Sequence, residues 1–340
     1  MQMITLFLAT GLLFGDTLKI IAVGDIMMGT TYPAVRLPPY DGANIFVNVR
    51  EVLQEGDLTM GNLEGPLTEQ GECTKKITEG KVYAFRTPTR YARYLLEAGF
   101  DFMNLKNNHI NDFGTEGLTS TIESLHANGI QYGLDDKNGL FVVKNKKICI
   151  ISFSQADWGN SILDIPRAQK IVAQRAQEFD IVIVSFHGGG EGIDFLHTRD
   201  TMEYFLGSPR GNVVRFARAV IDSGADLVWG HGPHVPRALE VYKDRLIAYS
   251  LGNFFTYGFN IEGVRGYAPI LKVFLDSCGI FIAGEIISAI QKPGGILELD
   301  SLQRAFKLIK NLSQEDFPNT APYFTDEGRI YNKNFLPLDK

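Results

Sequence analysis

The sequence predicts an α/β fold, because short strand-like segments alternate with segments of helical periodicity along most of its 340 residues. The strand-like segments are rich in β-branched residues, as in LKIIAV (18–23) and DIVIVSFH (180–187), which is typical of strands buried on both faces. Apolar residues make up 45% of the chain, enough for a full-sized core and too many for a disordered protein.

The elements follow one another in a regular order. We expect strands at 18–23, 57–62, 101–105, 180–187 and 225–230, and helices at about 44–54, 89–99, 115–129, 166–179, 213–224 and 300–312. Two further segments, 140–153 and 237–250, have the pattern of hairpins, with turns near Asn145–Lys146 and Lys243–Asp244. The hairpins indicate a mixed sheet, or a second sheet packed on the first.

The same patterns suggest one large domain over residues 18–312, preceded by a signal peptide (1–17) and followed by an irregular tail (313–340) that contains three prolines. The apolar run at 3–14 is too short to span a bilayer and fits a signal-peptide core. It lacks a basic residue before Lys19, so a buried N-terminal strand or helix is the alternative. We therefore expect export to the periplasm or cell surface, with a cytoplasmic location as the other possibility.

The net charge and the cysteine content argue against nucleic-acid binding and against sites built from cysteines. The 33 basic and 39 acidic residues give a net charge of −6, which argues against nucleic acid as a partner. The three cysteines contain no C-x-x-C pair, so neither a disulfide framework nor a cysteine-type zinc site is expected.

Polar residues cluster just after the predicted strands, where open α/β sheets gather ligands. Four of the six histidines belong to this set. Each motif alone has a structural explanation as a turn or a helix cap, but together they offer carboxylate, amide and imidazole groups without a thiolate. Such a set suits zinc, manganese or iron. The motifs are GDIMMG (24–29), GNLEGPLT (61–68), NLKNNHINDFG (104–114), FHGGGE (186–191), GHGPHV (230–235) and YSLGNF (249–254).

This series of motifs resembles the CapA-type capsule-synthesis proteins, which are implicated in the production and export of poly-γ-glutamate capsule. The resemblance covers about residues 18–257. That family is similar in turn to the calcineurin-like metallophosphoesterases, which implies a four-layer α/β/β/α sandwich with metal ions at the strand ends.

The resemblance also implies roles for particular residues. It makes Asp25 the first metal-ligand carboxylate and Glu64 the carboxylate that bridges two metals. The implied remaining ligands are Asn108, His187, His231 and His234. His109 is implied as the residue that protonates or stabilises the leaving group.

Three departures from the phosphoesterase pattern bear on the number of metals. Met27 stands where that pattern has a histidine, Glu64 is longer than the usual aspartate, and His231 and His234 are three residues apart rather than two. The expected cofactor is therefore a divalent Mn, Zn or Fe centre of one or two ions.

Neighbouring residues complete the expected site. Asp112 would orient His109 or cap the following helix, and Glu191 would support the metal site or contact substrate. Asn253 would orient the histidine pair or contact substrate. Arg86 and Arg237 would bind an anionic substrate or lie on the solvated surface.

Three functions remain open at this point. The first is a metal-dependent hydrolase that cleaves a phosphoester or γ-glutamyl amide bond in capsule synthesis. The second is a non-catalytic factor that binds capsule polymer during assembly or export. The third is an intracellular metal-dependent phosphatase. The expected partners are an anionic polymer or phosphoester substrate and membrane proteins of capsule synthesis.

Overall fold

The computed structural model describes residues 17–77 and 82–336, so nearly all of the predicted signal peptide lies outside the described residues. The strands are β1 (Leu18–Met27), β2 (Leu58–Leu63), β3 (Phe102–Asn104), β4 (Gln131–Gly133), β5 (Gly139–Val143), β6 (Lys146–Ser154), β7 (Ile181–His187), β8 (Glu203–Phe205), β9 (Ser208–Gly211), β10 (Leu227–His231), β11 (Leu239–Tyr242), β12 (Arg245–Ala248), β13 (Asn253–Thr256), β14 (Ile270–Leu275), β15 (Phe281–Ile287), β16 (Ala289–Lys292), β17 (Ile296–Leu299), β18 (Tyr323–Phe324) and β19 (Arg329–Tyr331).

The α-helices are α1 (Arg50–Leu53), α2 (Ala92–Ala98), α3 (Gly114–Ala127), α4 (Ile165–Ala176), α5 (Val213–Asp222) and α6 (Arg304–Asp316). Short 3₁₀ turns occupy Pro39–Gly42, Thr89–Tyr91, Ile193–Phe195, Gly263–Gly266 and Lys333–Phe335.

Two β-sheets form the centre of the fold. The larger has the order β18-β19-β15-β14-β1-β2-β3-β4, with β13 also paired to β1, and the smaller has the order β11-β12-β10-β7-β6-β5. Strands β1 to β4 run parallel, as do β6, β7, β10 and β12. The carboxyl ends of the central strands of each sheet therefore meet at one edge of that sheet.

Side chains alternate between the two faces of each strand, so each sheet packs against the other sheet on one face and against helices on the other. This packing gives four layers. On β1, Ile20 packs between the two sheets, whereas Ile21 packs on the opposite face among residues of α1 and α2. On the smaller sheet, Ile183 points into the inter-sheet core and Val184 packs with α4 and α5. The predicted α/β/β/α sandwich is confirmed by this arrangement.

Most predicted elements are present, including both hairpins, whose turns contain positive-φ residues such as Asn145 and Asp244. The helix predicted over 44–54 is wrong for its first half. Residues 43–49 form successive turns in which alternate amides bond three residues back, as from Ile45 N to Gly42 O and from Val49 N to Phe46 O. Only 50–53 are α-helical, because asparagine and β-branched residues in this segment are poor helix formers.

The prediction of an irregular tail is also wrong. Helix α6 continues to Asp316, and the segments β18 and β19 pair with each other and with β15 at the edge of the larger sheet. Ile330 and Phe324 are buried in the inter-sheet core, so burial of apolar side chains holds this segment in place.

An irregularity in β1 joins the sheets. The pairing of β1 with β2 shifts register between Ala22 and Asp25, and the carbonyl of Val23 accepts a hydrogen bond from Trp229 Nε1 of the smaller sheet at 2.9 Å. A β-carbon on Gly24 would lie 1.9 Å from the carbonyl oxygen of Gly252, so this position requires glycine. The close approach lets Asp25 N donate to Gly252 O at 2.8 Å.

No helix within residues 17–77 and 82–336 is long and apolar enough to cross a membrane.

We expect Trp229→Phe to lower the free energy of unfolding by about 2 kcal/mol. The substitution leaves the buried Val23 carbonyl without its partner and opens space in the core. Urea denaturation followed by circular dichroism measures the loss. Trp158→Phe is the control, since Trp158 is 45% exposed; an equal loss in both variants would contradict the role given to Trp229.

Candidate metal centre

Sheet register brings the polar residues of the larger sheet into one row. Asp25 on β1 pairs in register with Asn253 on β13 and with Asn62 on β2, and Asn62 pairs with Asn104 on β3. All four side chains are buried. Because neighbouring parallel strands end together, residues distant in sequence lie side by side at this edge.

Asp25 is fully buried and is surrounded by donors. Its Oδ1 accepts from Asn62 Nδ2 at 2.7 Å, and Oδ2 lies 3.4 Å from the amide of Gly232. Burial alone would raise the pKa of Asp25, but the hydrogen bond and charge of His234, with smaller contributions from His231 and Asn62, lower it below its ordinary value. Asp25 is therefore an ionised carboxylate within the core.

The smaller sheet supplies two histidines from adjacent strand ends. His187 on β7 and His231 on β10 are in register, and their Nδ1 atoms are 3.1 Å apart. His231 Nε2 is 2.9 Å from Ser185 Oγ, which orients the ring. Burial lowers the pKa of His187 well below its usual range and that of His231 to about 4. Both are thus neutral imidazoles, the form that binds metal.

His234 lies in the loop after β10, with a left-handed backbone at φ 59°. Its Nδ1 is 3.1 Å from Asp25 Oδ2 and 3.0 Å from Asn253 Oδ1. Partial burial of the ring would lower the pKa of His234, but the charge of Glu64 and the hydrogen bond to Asp25 raise it. His234 therefore joins the loop to the row of polar residues on the larger sheet.

Glu64 follows β2 and is 3% exposed. Its Oε1 atom has no hydrogen-bond partner among the described residues, and neither does His187 Nε2. The two atoms are 3.8 Å apart, and Oε1 is also 3.6 Å from His234 Nε2. Burial raises the pKa of Glu64 to about 8. Buried polar atoms normally have partners, so a pair of unpartnered ligand-type atoms indicates that another group belongs between them.

A divalent cation fits this arrangement. Two groups of ligand atoms lie within 4.8 Å of one another, Asp25 with His187 and His231, and Asp25 with Glu64 and His234. Ligands about 2.1 Å from a tetrahedral metal are about 3.4 Å from each other. The Nδ1 atoms of His187, His231 and His234 lie at comparable distances, 3.1 to 4.0 Å, from the carboxylate oxygens of Asp25. Asp25 is common to both groups, whereas the family resemblance gives the bridging place to Glu64.

The amide residues differ from the expected arrangement. Asn108, the predicted ligand, has an exposed side chain, whereas the preceding Asn107 is buried. Asn107 Nδ2 donates to Asn62 Oδ1 at 3.1 Å and to the carbonyl of Leu63 at 2.8 Å. Sequence reasoning missed the roles of Asn62 and Asn107; two asparagines near the ends of apolar strands were the available signal, since a buried amide needs partners.

His109 is held by a separate network beside the candidate metal ligands. Its Nδ1 is 2.8 Å from Asp112 Oδ2, and Lys75 Nζ is 2.6 Å from Asp112 Oδ1. The ring packs against Phe85, with centroids 4.2 Å apart. Burial lowers the pKa of His109, so the neutral ring can donate from Nδ1 to Asp112 and leave Nε2 available. Lys75 was not singled out from the sequence.

Of the remaining predicted residues, Glu191 and Asn253 lie beside His234, whereas Arg237 lies away from solvent. Glu191 lies 3.9 Å from His234 Nε2 and is held by Arg210 at 2.6 Å, and Asn253 bonds to His234. Arg237 is fully buried, and both of its terminal nitrogens bond to Glu203. It therefore offers no exposed group to a substrate, which differs from the predicted substrate contact.

Arg86 is partly buried and lies over two aromatic rings. Its guanidinium carbon is 5.2 Å from the ring centroid of Phe113 and 5.7 Å from that of Tyr32, while Nε donates to Thr31 Oγ1 at 3.0 Å. These contacts hold the Arg86 side chain among Thr31, Tyr32 and Phe113.

A cavity of about 310 Å³ opens onto the candidate metal ligands Glu64 and His234. His109, Glu64, Glu191, His234 and Asn253 line its polar side. The rest of its lining consists of Met27, Tyr83, Phe85, Gly192, Phe205, Thr256, Phe259, Asn260 and Arg265. Met27 thus places a thioether where the phosphoesterase pattern has a histidine. The chamber combines acid and imidazole groups with an aromatic wall, as small-molecule and active-site pockets do.

Comparison with known proteins places these motifs in a family. The model of the bacterial capsule synthesis protein PGA_cap family matches residues 19–257. The PGA biosynthesis protein CapA of Bacillus subtilis is 30% identical over 70% of this chain and 63% of its own length, and the capsule biosynthesis protein CapA of Bacillus anthracis is 26% identical over 70% and 60%. The aligned region is thus less than two thirds of the length of either relative.

Among solved structures, the 5′-nucleotidase precursor from Thermus thermophilus superposes with a TM-score of 0.46 and 14% identity, covering 88% of this chain and 59% of its own. The purple acid phosphatase PPD1 from yellow lupin gives a TM-score of 0.41 and 9% identity over 91% and 57%.

We expect Asp25→Asn to lower bound transition metal at least tenfold, because it removes the charge shared by both ligand groups. Elemental analysis after dialysis against equal free Mn²⁺ or Zn²⁺ measures this. In thermal unfolding, metal at 100 times its Kd should stabilise the wild type by about 2.7 kcal/mol and the variant far less.

Asp136→Asn is the matched control, since Asp136 is exposed, and it should keep the wild-type metal content. Wild-type protein that takes up less than about one tenth of an equivalent of Mn²⁺, Zn²⁺ and Fe²⁺ would contradict the metal centre.

Proposed function

Because this chain belongs to the bacterial capsule synthesis protein PGA_cap family, we propose that it is a metal-dependent hydrolase of capsule synthesis. Its reaction would be cleavage of a phosphoester or a γ-glutamyl amide bond. Its partners would be an anionic capsule polymer or phosphoester substrate and the membrane proteins of capsule synthesis.

The proposal rests chiefly on two buried, unpartnered atoms, Glu64 Oε1 and His187 Nε2, which are 3.8 Å apart. Glu64 also lines the cavity. Asp25, His231 and His234 surround these two atoms. A divalent ion bound by these residues supplies Lewis-acid activation of a substrate oxygen and a water molecule of lowered pKa. A purely structural site would have satisfied these buried groups with protein partners.

His109 would transfer a proton in the proposed reaction. Nδ1 of the ring lies 2.8 Å from Asp112 Oδ2. With the ring hydrogen on Nδ1 and donated to that carboxylate, Nε2 would accept a proton from the attacking water. The new bond joins the water oxygen to phosphorus or to the carbonyl carbon. The bond to the leaving oxygen or nitrogen breaks, and Nε2 returns the proton to that atom.

Residues around the ligands would position the substrate and exclude water. Arg210 holds Glu191 beside His234, and Asn253 holds the opposite side of the same ring. The aromatic wall of Phe85, Phe259 and Tyr83 makes edge and stacked contacts at 5.4 to 6.5 Å between centroids. A low-dielectric wall strengthens the electrostatic interactions of the polar groups it encloses.

One observation favours the second candidate, a factor that binds polymer without cleaving it. Met27 lines the cavity in the place of a ligand histidine, and its Sδ accepts from the amide of Gly29 at 3.2 Å. A thioether is a poor ligand for Mn²⁺ or Zn²⁺. Binding of polymer by metal-loaded protein with no bond cleavage would favour this function.

We also propose that the protein is exported, on the strength of the apolar run at residues 3–14. Determination of the mature N-terminus in cells tests this. A chain that still begins at Met1 would contradict cleavage of a signal peptide.

We expect His109→Ala to lower kcat by about 10²- to 10⁴-fold while metal content stays near that of the wild type, because His109 transfers a proton and is not among the grouped ligands. Phosphoester and γ-glutamyl peptide substrates are to be assayed with Mn²⁺ or Zn²⁺, alongside elemental analysis.

His126→Ala is the matched control. His126 is exposed on α3, and its loss should leave both readouts unchanged. Equal turnover by wild type and His109→Ala would remove His109 from the mechanism.

A further inference from the structure

The glycine loop, residues 188–192 after β7, is neither helix nor strand, yet its first three residues are buried. It follows His187 and carries Glu191, so its path sets where both side chains lie relative to His234. Buried backbone groups outside helices and strands need other hydrogen-bond partners. The partners of this loop come from the loop after β10 and from the hairpin formed by β8 and β9.

The loop after β10 bonds to the glycine loop through its backbone. Gly188 N donates to the carbonyl of His231 at 3.0 Å, and Gly192 N donates to the carbonyl of Pro233 at 2.9 Å. These two bonds attach the segment that follows His187 to the segment that follows His231.

An ion pair between the hairpin and the loop after β10 satisfies both backbone groups of Gly190. Glu203 Oε2 on β8 accepts from Gly190 N at 2.6 Å, and Arg237 Nη2 donates to the carbonyl of Gly190 at 3.0 Å. Arg237 also bonds to both carboxylate oxygens of Glu203, at 3.0 and 2.9 Å. Arg237 is fully buried and Glu203 is 7% exposed, so protein encloses the pair.

The second strand of the hairpin holds the neighbouring residues of the loop. Arg210 on β9 exchanges two hydrogen bonds with Gly189, donating from Nε to its carbonyl at 3.0 Å and accepting from its amide at 2.8 Å. Arg210 Nη2 donates to Glu191 Oε1 at 2.6 Å. Because Glu203 pairs with Gly211 at the base of the hairpin, one hairpin contacts three consecutive residues of the loop.

Gly189 explains why the loop is built from glycine at this point. Its φ of 89° lies in the left-handed region, which favours glycine. A β-carbon here would lie 3.0 Å from Arg237 Nη1 and 3.3 Å from Glu203 Oε2. A side chain at Gly189 would therefore press on both members of the ion pair.

The energetics of a buried ion pair favour a role beyond stability. Taking both charges out of water costs free energy, and apolar replacements of such pairs are often equally stable or more stable. Stability alone therefore does not account for the pair. The two bonds to Gly190 do account for it, because they require a donor and an acceptor at fixed places on either side of the loop.

We propose that Glu203 and Arg237 are positioning residues, whose ion pair fixes the glycine loop against the loop after β10 and so aims His187 and Glu191 at the candidate metal centre. The inference rests on the proposed function, because the centre that it positions is the proposed active site. It also makes the β8–β9 hairpin part of that site, in agreement with the place of Phe205 in the cavity lining.

Glu203→Gln tests the role in the full chain. Both carboxylate oxygens accept from donors, so the amide nitrogen of glutamine must face one of those donors and weaken the hold on Gly190. Hydrogen–deuterium exchange without added metal, read by mass spectrometry on a peptide that contains residues 188–192, should become at least tenfold faster. The Kd for Mn²⁺ should rise by about 10- to 100-fold, as when contacts that orient metal ligands are lost.

Glu240→Gln is the matched control, because Glu240 is also a buried glutamate that pairs with an arginine, Arg218, at 2.6 Å. Its other partners are the hydroxyls of Tyr249 and Thr320. The control should lower the urea midpoint but leave exchange in the glycine loop and the Kd for Mn²⁺ at wild-type values. The positioning role is overturned if Glu203→Gln changes neither readout, or if Glu240→Gln changes both equally.

The double variant Glu203→Leu/Arg237→Met keeps the test decisive if Glu203→Gln does not fold. It buries no unpaired charge, so its urea midpoint should stay near that of the wild type. It also leaves Gly190 without either side-chain partner, so the glycine loop should again exchange at least tenfold faster. Wild-type protection of the loop in this variant would contradict the role.

The outcomes separate the positioning role from the hydrolase. Faster loop exchange in Glu203→Gln, in a protein whose wild type binds no Mn²⁺, Zn²⁺ or Fe²⁺, would contradict the hydrolase and support the hold of the pair on the loop. Metal binding and hydrolysis by the wild type, with loop exchange and the Kd for Mn²⁺ unchanged in Glu203→Gln, would support the hydrolase and contradict the positioning role.

Discussion

The burial of carboxylates at the edge where the two sheets meet is the constraint on which the site depends. An ionised Asp25 with no exposed surface is tolerated only because donors surround it. Strand register provides the amide of Asn62, the loop after β10 provides the backbone of Gly232, and His234 provides a charged partner. Each donor comes from a different element, so the approach of the two sheets and the charge of the site are fixed together.

The same constraint explains the glycines and the irregular pairing of β1. Asp25 reaches the edge because β1 departs from regular pairing after Ala22, and the freed carbonyl of Val23 is satisfied by Trp229 from the other sheet. Gly24 permits the backbone of Gly252 to approach closely enough to accept the amide of Asp25. A distortion that would otherwise leave a buried carbonyl unsatisfied thus joins the sheets beside the candidate metal centre.

The fold class, most helices and strands, and several residues of the candidate site could be predicted from the sequence. Helix and strand periodicity and polar groups at strand ends are local patterns. Asp25, His187 and His231 follow apolar strands directly, and the structure brings them together. The role of Asn62 depends on pairing between β1 and β2, which no local pattern specifies. Arg237 looked available for substrate, but Glu203, 34 positions earlier in the chain, buries it. Such non-local contacts, like the pairing of β18 and β19 with β15, arise only in the folded chain.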